Sequence, residues 1–238
     1  VNVVRARVAK RFRRNPSLGV SARTRYAAHA VLAAVAIGAA TRVDGWTYRH
    51  FVMLDVYEHD WGRLLRMVGY LPTWVAVAAG AAAADRRVRS WREAATTTCA
   101  FVLYAATLGG LVAEPLKIVI RRDRPDAGLG TYVFRAWSDR PLSSAGFGMP
   151  SSHAIVAFGA AAMLWRVYPR GRALWVALAI GCAATRVASH AHFLSDVVVA
   201  AMLGPVVAVA VTRGVAGVIH HPANAGPFME TSSAEVSG

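Results

Sequence analysis

Six apolar runs divide this chain, separated by arginine-rich or turn-rich stretches. The runs cover about 25–43, 64–84, 94–113, 151–168, 173–189 and 194–212. Each is close to the roughly 20 residues that an α-helix needs to cross a bilayer. The pattern predicts an all-α fold, a bundle of six transmembrane helices. Pro72 falls inside the second run and predicts a kink of the kind a bundle absorbs. Between the first two runs, residues 44–63 mix Trp46, Tyr48, Phe51, Tyr57 and Trp61 with His50, Asp55, Glu58, His59 and Asp60. Aromatic rings among charges predict an amphipathic segment at the membrane interface. Those histidines and acids match no metal-ligand spacing, and a wet polar face accounts for them. The longest interior loop, 114–149, is rich in Arg, Asp, Gly and Pro.

Composition sharpens this layout. Apolar residues make up 55% of the 238 and charged residues 17%, and the charges fall between the runs. A formal net charge of +14 raises the question of nucleic acid. The basic residues gather at the ends of apolar runs rather than along one face, so the expected partner is membrane and not nucleic acid. Residues 1–24 read as a basic cytoplasmic tail, 25–213 as the membrane domain, and 214–238 as a small polar tail expected to be disordered. Residues 1–25 carry eight Lys/Arg and no acid, and such a tail attracts anionic lipid by about 1 kcal/mol per basic residue. The run that follows it is read as a retained first span rather than a secretory leader. Sixteen of the 27 Lys/Arg lie in that tail, at 85–93, at 166–172 and at Arg213. The positive-inside rule then places both termini in the cytoplasm. The loop 114–149, the start of span four and the turn between spans five and six should therefore meet on the extracytoplasmic face of the cell (inner) membrane. Cys99 and Cys182 both sit within apolar runs and read as small packing residues, not a disulfide.

Candidate chemistry gathers at that face. His192 and Asp196 are four residues apart, on one side of a helix. An aspartate so placed holds one ring nitrogen and leaves the other free to act as nucleophile or base. Charge inside an otherwise apolar region marks function by default. A second block, Pro150-Ser151-Ser152-His153, opens span four, where free backbone N–H groups suit an anion. A third runs from Lys117 to Arg124 and Pro125. Together these blocks offer Lys117, Arg124 and Arg186 as fixed cations without matching acids. A multiply charged anion answers such a set, and phosphate fits it best. Two histidines, His153 and His192, suit the parts of acid and nucleophile. Each residue also has a plainer use. Lys117 and its neighbouring arginines suit interface anchors, and Ser151 or Ser152 suits a helix cap. A serine hydrolase built on Ser152 and His153 is disfavoured, because adjacent residues rarely form a nucleophile–base pair. His190 lies four residues after Arg186, which would let it line or back the site, but it has no aspartate four residues on; it reads as a residue behind the site or a packing residue. Arg121, Arg122, Arg135 and Arg140 face either a substrate headgroup or solvent.

The three blocks resemble the type 2 phosphatidic acid phosphatase superfamily, the lipid phosphate phosphatases related to vanadium haloperoxidases and glucose-6-phosphatase. That family's pattern is K-x6-R-P, then P-S-G-H, then S-R-x5-H-x3-D. Lys117, Arg124 and Pro125, then Pro150, Ser151 and His153, then Arg186, His192 and Asp196 match it in order and spacing. Ser152 stands where the family usually has glycine, and Thr185 where it usually has serine. The membrane-bound bacterial branch is similar across most of the chain, tails excepted. The resemblance implies a lipid phosphate or lipid pyrophosphate phosphatase with an outward-facing site. His192 is expected to attack phosphorus and become a phosphohistidine, with Asp196 fixing its tautomer. Lys117, Arg124, Arg186, Ser151 and Ser152 are expected to hold the phosphate oxygens, and His153 to serve as acid and then base. Fixed cations supply the neutralising charge, so no metal and no cofactor are expected. A bell-shaped pH profile near about 6–7 follows. Two further readings stay open: a phosphotransferase using the same phosphohistidine, and a non-catalytic transporter, which would not need both histidines. A haloperoxidase is disfavoured because those relatives are soluble.

Overall fold

A computed structural model describes residues 22–84 and 98–219 of the protein, and every regular element among them is helical. The expectations for the basic tail 1–21, the loop 85–93, the start of span three and residues 220–238 fall outside the described residues. Helix α1 (Ala22–His50) runs past the predicted end of the first span, since no proline interrupts residues 44–50. The predicted second span is two helices, α2 (Asp60–Val68) and α3 (Leu71–Ala84), bent by 75°. The break falls at Gly69 and Tyr70 rather than at Pro72. Pro72 lies in the first turn of α3, where a missing N–H costs no helical hydrogen bond. Gly69 lets the elbow sit directly on the bundle. A Cβ there would lie 2.6 Å from the His153 carbonyl oxygen and 2.7 Å from Cys182 Sγ.

Helix α4 (Thr98–Ile120) continues through Pro115, so Glu114 and Lys117 stand on a helix and not in the predicted loop. Pro115 removes one backbone donor, but Leu116, Ile118, Val119 and Ile120 keep the apolar run going. Helices α5 (Ser152–Val167), α6 (Arg172–Ala188) and α7 (Leu194–Ile219) follow. The last outruns its predicted end at Thr212, because Val215, Val218 and Ile219 extend the apolar run.

Helix α5 is the centre of the bundle and packs on α4, α6 and α7. Its Ala154, Ile155, Ala157 and Ala160 are fully buried. Small residues bring the backbones close, as they do where helices associate in lipid. A Cβ on Gly204 of α7 would lie 2.6 Å from the backbone nitrogen of Gly159. Among the described residues, α1, α4, α6 and α7 are long and apolar enough to cross a membrane, and the bent α2–α3 pair makes up to five such elements. With 16 residues, α5 reaches only about 24 Å, short of a hydrocarbon core of roughly 30 Å. Exposed Val31, Leu32 and Val35 on α1, with Leu111 and Val119 on α4, form an apolar outer surface that suits lipid.

Residues 121–150 fold tightly over one end of the bundle. A 3-10 turn at Pro125–Gly128 and two antiparallel bridges, Arg122 with Phe134 and Asp123 with Phe147, shape them. The Arg121 guanidinium donates to the carbonyls of Arg135, Ala136, Asp139 and Pro141. Arg135 pairs with Asp123 at 2.7 Å. Both arginines therefore pin the loop. Arg140 stays exposed beside Asp139.

Candidate functional site

The end of α4, the start of α5 and the α6–α7 turn converge beneath that loop. Lys117, one turn before the end of α4, donates to Ser152 Oγ at 2.5 Å and to Glu114 Oε1 at 2.8 Å. Ser152 Oγ in turn donates to Glu114 Oε1 at 2.9 Å, and Ser144 Oγ donates to the other oxygen of that carboxylate at 2.5 Å. The hydroxyl at 152 thus joins the first block to the second. Ser151 is the N-cap of α5: its Oγ accepts from the Ala154 amide at 3.4 Å. The cap uses an oxygen lone pair and leaves the O–H proton to donate elsewhere. The Ser151 amide donates to the Asp196 carbonyl, which ties α5 to α7.

The α6–α7 turn carries the third block. His192 is 3% exposed, and its Nδ1 lies 2.8 Å from the Gly148 carbonyl oxygen. Asp196 Oδ2 is farther from that nitrogen, at 3.6 Å. The carbonyl therefore fixes the tautomer with Nδ1 protonated and the Nε2 lone pair free. The arrangement differs from the aspartate-held tautomer that the i, i+4 spacing suggests. Asp196 is fully buried and occupied elsewhere. Its Oδ2 accepts from the Phe193 amide at 2.8 Å, and Arg122 donates to its Oδ1. A buried carboxylate demands such a partner, and Arg122 supplies it from the loop. Gly148 has to be glycine for this contact, because a Cβ would stand 2.9 Å from Asp196 Oδ2. Burial holds His192 below the ordinary imidazole range, against the opposing pull of Asp196.

The web reaches α1. Asp44, 1% exposed, accepts from the Ser195 amide at 2.9 Å, from Ser195 Oγ at 2.5 Å and from Tyr132 Oη at 2.6 Å. Arg122 also donates to Ser195 Oγ at 2.8 Å. Burial, with the Asp44 carboxylate beside it, pushes the Tyr132 phenol up to about 12.

Arg186, in the last turn of α6, donates to Tyr57 Oη at 2.9 Å. His153, at the start of α5, stacks against Tyr70 with ring centroids 6.5 Å apart. His153 Nε2 and Arg186 Nε are buried polar atoms with no partner among the described residues. Lys117, Arg186 and His192 all lie within electrostatic reach of His153. Arg124 caps the 3-10 turn with its backbone; its side chain is exposed, and its charge reaches both Arg186 and His192. The structure thus gathers Lys117, Arg124, Ser151, Ser152, His153, Arg186, His192 and Asp196 at one end of the bundle. His190 lies outside this cluster and stacks on Tyr48, 4.1 Å between ring centroids. Among the described residues no group of three or more His, Cys, Asp or Glu side chains is placed to hold a metal ion. An apolar cavity of about 350 Å³, lined by Trp46, Phe51, Phe158 and Leu194, lies apart from these polar groups.

Sequence spacing gave no role at the site to Tyr57, Tyr70, Glu114 or Gly148, and it set Arg122 against headgroup or solvent where the structure buries it against Asp196. One signal was available: an aspartate inside an apolar run must have a counter-charge, and an arginine had to be sought for Asp196.

Residues 98–219, which take in all three blocks, match the model of the PAP2 superfamily. A lipid A 1-phosphatase of Rhizobium johnstonii is 36% identical over 109 residues, covering 44% of this chain and 43% of that protein. The match therefore spans less than half of that relative's length. No solved structure matches the chain.

Proposed function

The chain belongs to the PAP2 superfamily, and from that premise we propose that it is an integral membrane phosphatase acting on a lipid phosphate or lipid pyrophosphate. One observation carries the reading. His192, its Nδ1 held by the Gly148 carbonyl, stands in the same cluster as His153 and Arg186, whose buried Nε2 and Nε have no partner among the described residues. A phosphoryl group between them satisfies both.

His192 Nε2 attacks phosphorus in line, and the bond to the leaving oxygen breaks. Arg122 and the Phe193 amide keep Asp196 charged and still, so that it stabilises the positive ring of the phosphohistidine. Arg186, Arg124 and Lys117, with the Ser151 hydroxyl and the N–H groups of Ser152 and His153, hold the phosphoryl oxygens. His153 gives a proton to the leaving oxygen and then takes one from the water that releases phosphate. The fixed cations supply the neutralising charge, so the reaction is metal-independent. Ser152 fills the family's glycine position and restrains Lys117 both directly and through Glu114, leaving its own amide to the anion.

In the bilayer, α5 completes a six-span bundle, short as it is, because it is sheathed by α4, α6 and α7. The amphipathic α2, with Trp61, Leu64 and Met67 exposed, lies at the extracytoplasmic interface of the inner membrane, beside the site. Both termini are cytoplasmic, with the basic tail on anionic lipid. The relative's name, a lipid A 1-phosphatase, makes a phosphate on a lipid-borne sugar a first substrate to try. The test is orthophosphate release from a panel of lipid phosphates by the detergent-purified chain, with and without chelator and with His192→Ala as control. Release that persists in the variant removes the nucleophile. Loss in chelator, restored by a divalent ion, removes metal independence. Turnover only with an added alcohol acceptor indicates a phosphotransferase instead.

A further inference from the structure

The cations around the two histidines are not equivalent. Lys117 is neutralised by Glu114, and Arg122 by Asp196. No described carboxylate pairs with Arg186, Arg124 or Arg66. Arg66 belongs to none of the three blocks. It comes from α2, and its guanidinium stacks on the Tyr57 ring at 4.8 Å. Arg186 contacts the same ring, 5.7 Å from its centroid, and donates to its hydroxyl. Tyr57 thus carries two guanidinium groups that repel each other, with no carboxylate among the described residues between them. Such a pair is stable when an anion bridges it.

The two unpaired outer cations also divide between the histidines. Beside the shared Arg186, the cation felt most strongly by His153 is Arg66, and by His192 it is Arg124. The elbow that carries Arg66 is fixed to the His153 side by contact. Tyr70 stacks on the His153 ring, and Gly69 packs on the His153 backbone. His153 serves the leaving group, so Arg66 stands where the leaving group departs. A neutral alcohol has no use for a cation there; a departing phosphate does.

Resting on the phosphatase reading, we propose that Arg66 forms a second anion subsite beside His153, and that the substrate class it selects is a lipid diphosphate. His192 Nε2 bonds the terminal phosphorus as the bond from that phosphorus to the bridging oxygen breaks. The bonding electron pair stays on the bridging oxygen, which takes the His153 proton and leaves as the lipid monophosphate held by Arg66. Water then attacks the phosphohistidine and gives its proton to His153. Orthophosphate leaves, and the Nε2 lone pair is restored.

Binding and turnover test the proposal separately. Calorimetry on the detergent-purified full chain should find inorganic pyrophosphate bound about tenfold tighter than orthophosphate, a difference of about 1.4 kcal/mol. Arg66→Ala should erase that preference while orthophosphate still binds, and Arg66→Lys should keep part of it. With a prenyl monophosphate and its diphosphate as paired substrates, Arg66→Ala should raise KM for the diphosphate about tenfold more than for the monophosphate. The proposal is overturned by no pyrophosphate preference in the wild type, by a preference that survives in Arg66→Ala, or by equal loss on both ligands. A wild type that prefers pyrophosphate but releases no orthophosphate from either lipid overturns the phosphatase reading instead and leaves the subsite standing.

Discussion

The two histidines stand in one site but in very different surroundings. His192 lies in a wired region, with Gly148 on Nδ1 and Asp196 beside it. Arg122 and Ser195 tie this region to Asp44 on α1 and to Tyr132 in the loop. His153 lies in a region built from packing: the Tyr70 ring, the Gly69 backbone and an imidazole Nε2 with no partner among the described residues. The difference suits the proposed roles: a nucleophile gains from a fixed tautomer and a fixed line of attack, and an acid that follows a departing oxygen gains from fewer fixed bonds.

Removing each ring in turn should have the largest effect and should separate the two histidines. His192→Ala should lower orthophosphate release by at least about three orders of magnitude, whatever the leaving group. His153→Gln should slow the first, phosphoryl-transfer step about 10²–10⁴-fold with a lipid alcohol as leaving group, and much less with p-nitrophenyl phosphate, whose leaving group needs no proton, so that variant should still release p-nitrophenol in a first-turnover burst. Equal losses for both variants on both substrates would erase the division of roles. Next is the wiring itself. Arg122→Met strands the Asp196 carboxylate in the interior and should destabilise the fold by about 3–5 kcal/mol, read as a lowered thermal midpoint in detergent. Adding Asp196→Asn should recover part of that stability without recovering activity.

Acidity probes the same region more gently. As the proposed nucleophile, His192 must be neutral to attack, and burial favours the neutral ring. Its pKa therefore lies below the ordinary value of about 6.5. Activity should hold as the pH falls past 6.5 and then drop about tenfold per unit beneath the lowered pKa. An acid limb of kcat/KM centred at or above 6.5 contradicts this. The smallest effect belongs to Ser152→Gly. It frees Lys117 and Glu114 from the shared hydroxyl and should shift KM by only about threefold, since a single such hydrogen bond contributes about 0.5–1.5 kcal/mol net.

The blocks that place Lys117, Arg124, His153, Arg186 and His192 were legible because their spacing is local and each sits at the end of an apolar run. The partners that complete them were not. Arg122 lies 74 residues from Asp196, and Tyr57 lies 129 from Arg186, so the sequence says that Asp196 needs a counter-charge but not which arginine supplies it, and it does not link Tyr57 to Arg186 at all. The predicted loop began at residue 114, yet the helix continues through Pro115 and sets Glu114 one turn from Lys117. Pro72 read as the kink, yet the bend comes at Gly69, because glycine alone fits against the His153 backbone. Six apolar runs are plain in the sequence, but run length does not reveal that α5 is short and enclosed by its neighbours.

The Gly159–Gly204 crossing carries a mechanical consequence. With no side chains interposed, peptide meets peptide, and the interval between α5 and α7 is set by covalent geometry instead of by rotamers. His153 stands in the first turn of one of those rods and Asp196 in the first turn of the other. The crossing is therefore a fulcrum of fixed width, and squeezing from surrounding lipid cannot easily spread or close the jaws at its far end. Gly204→Ala would insert a wedge there and part the jaws while leaving every residue of the site chemically intact.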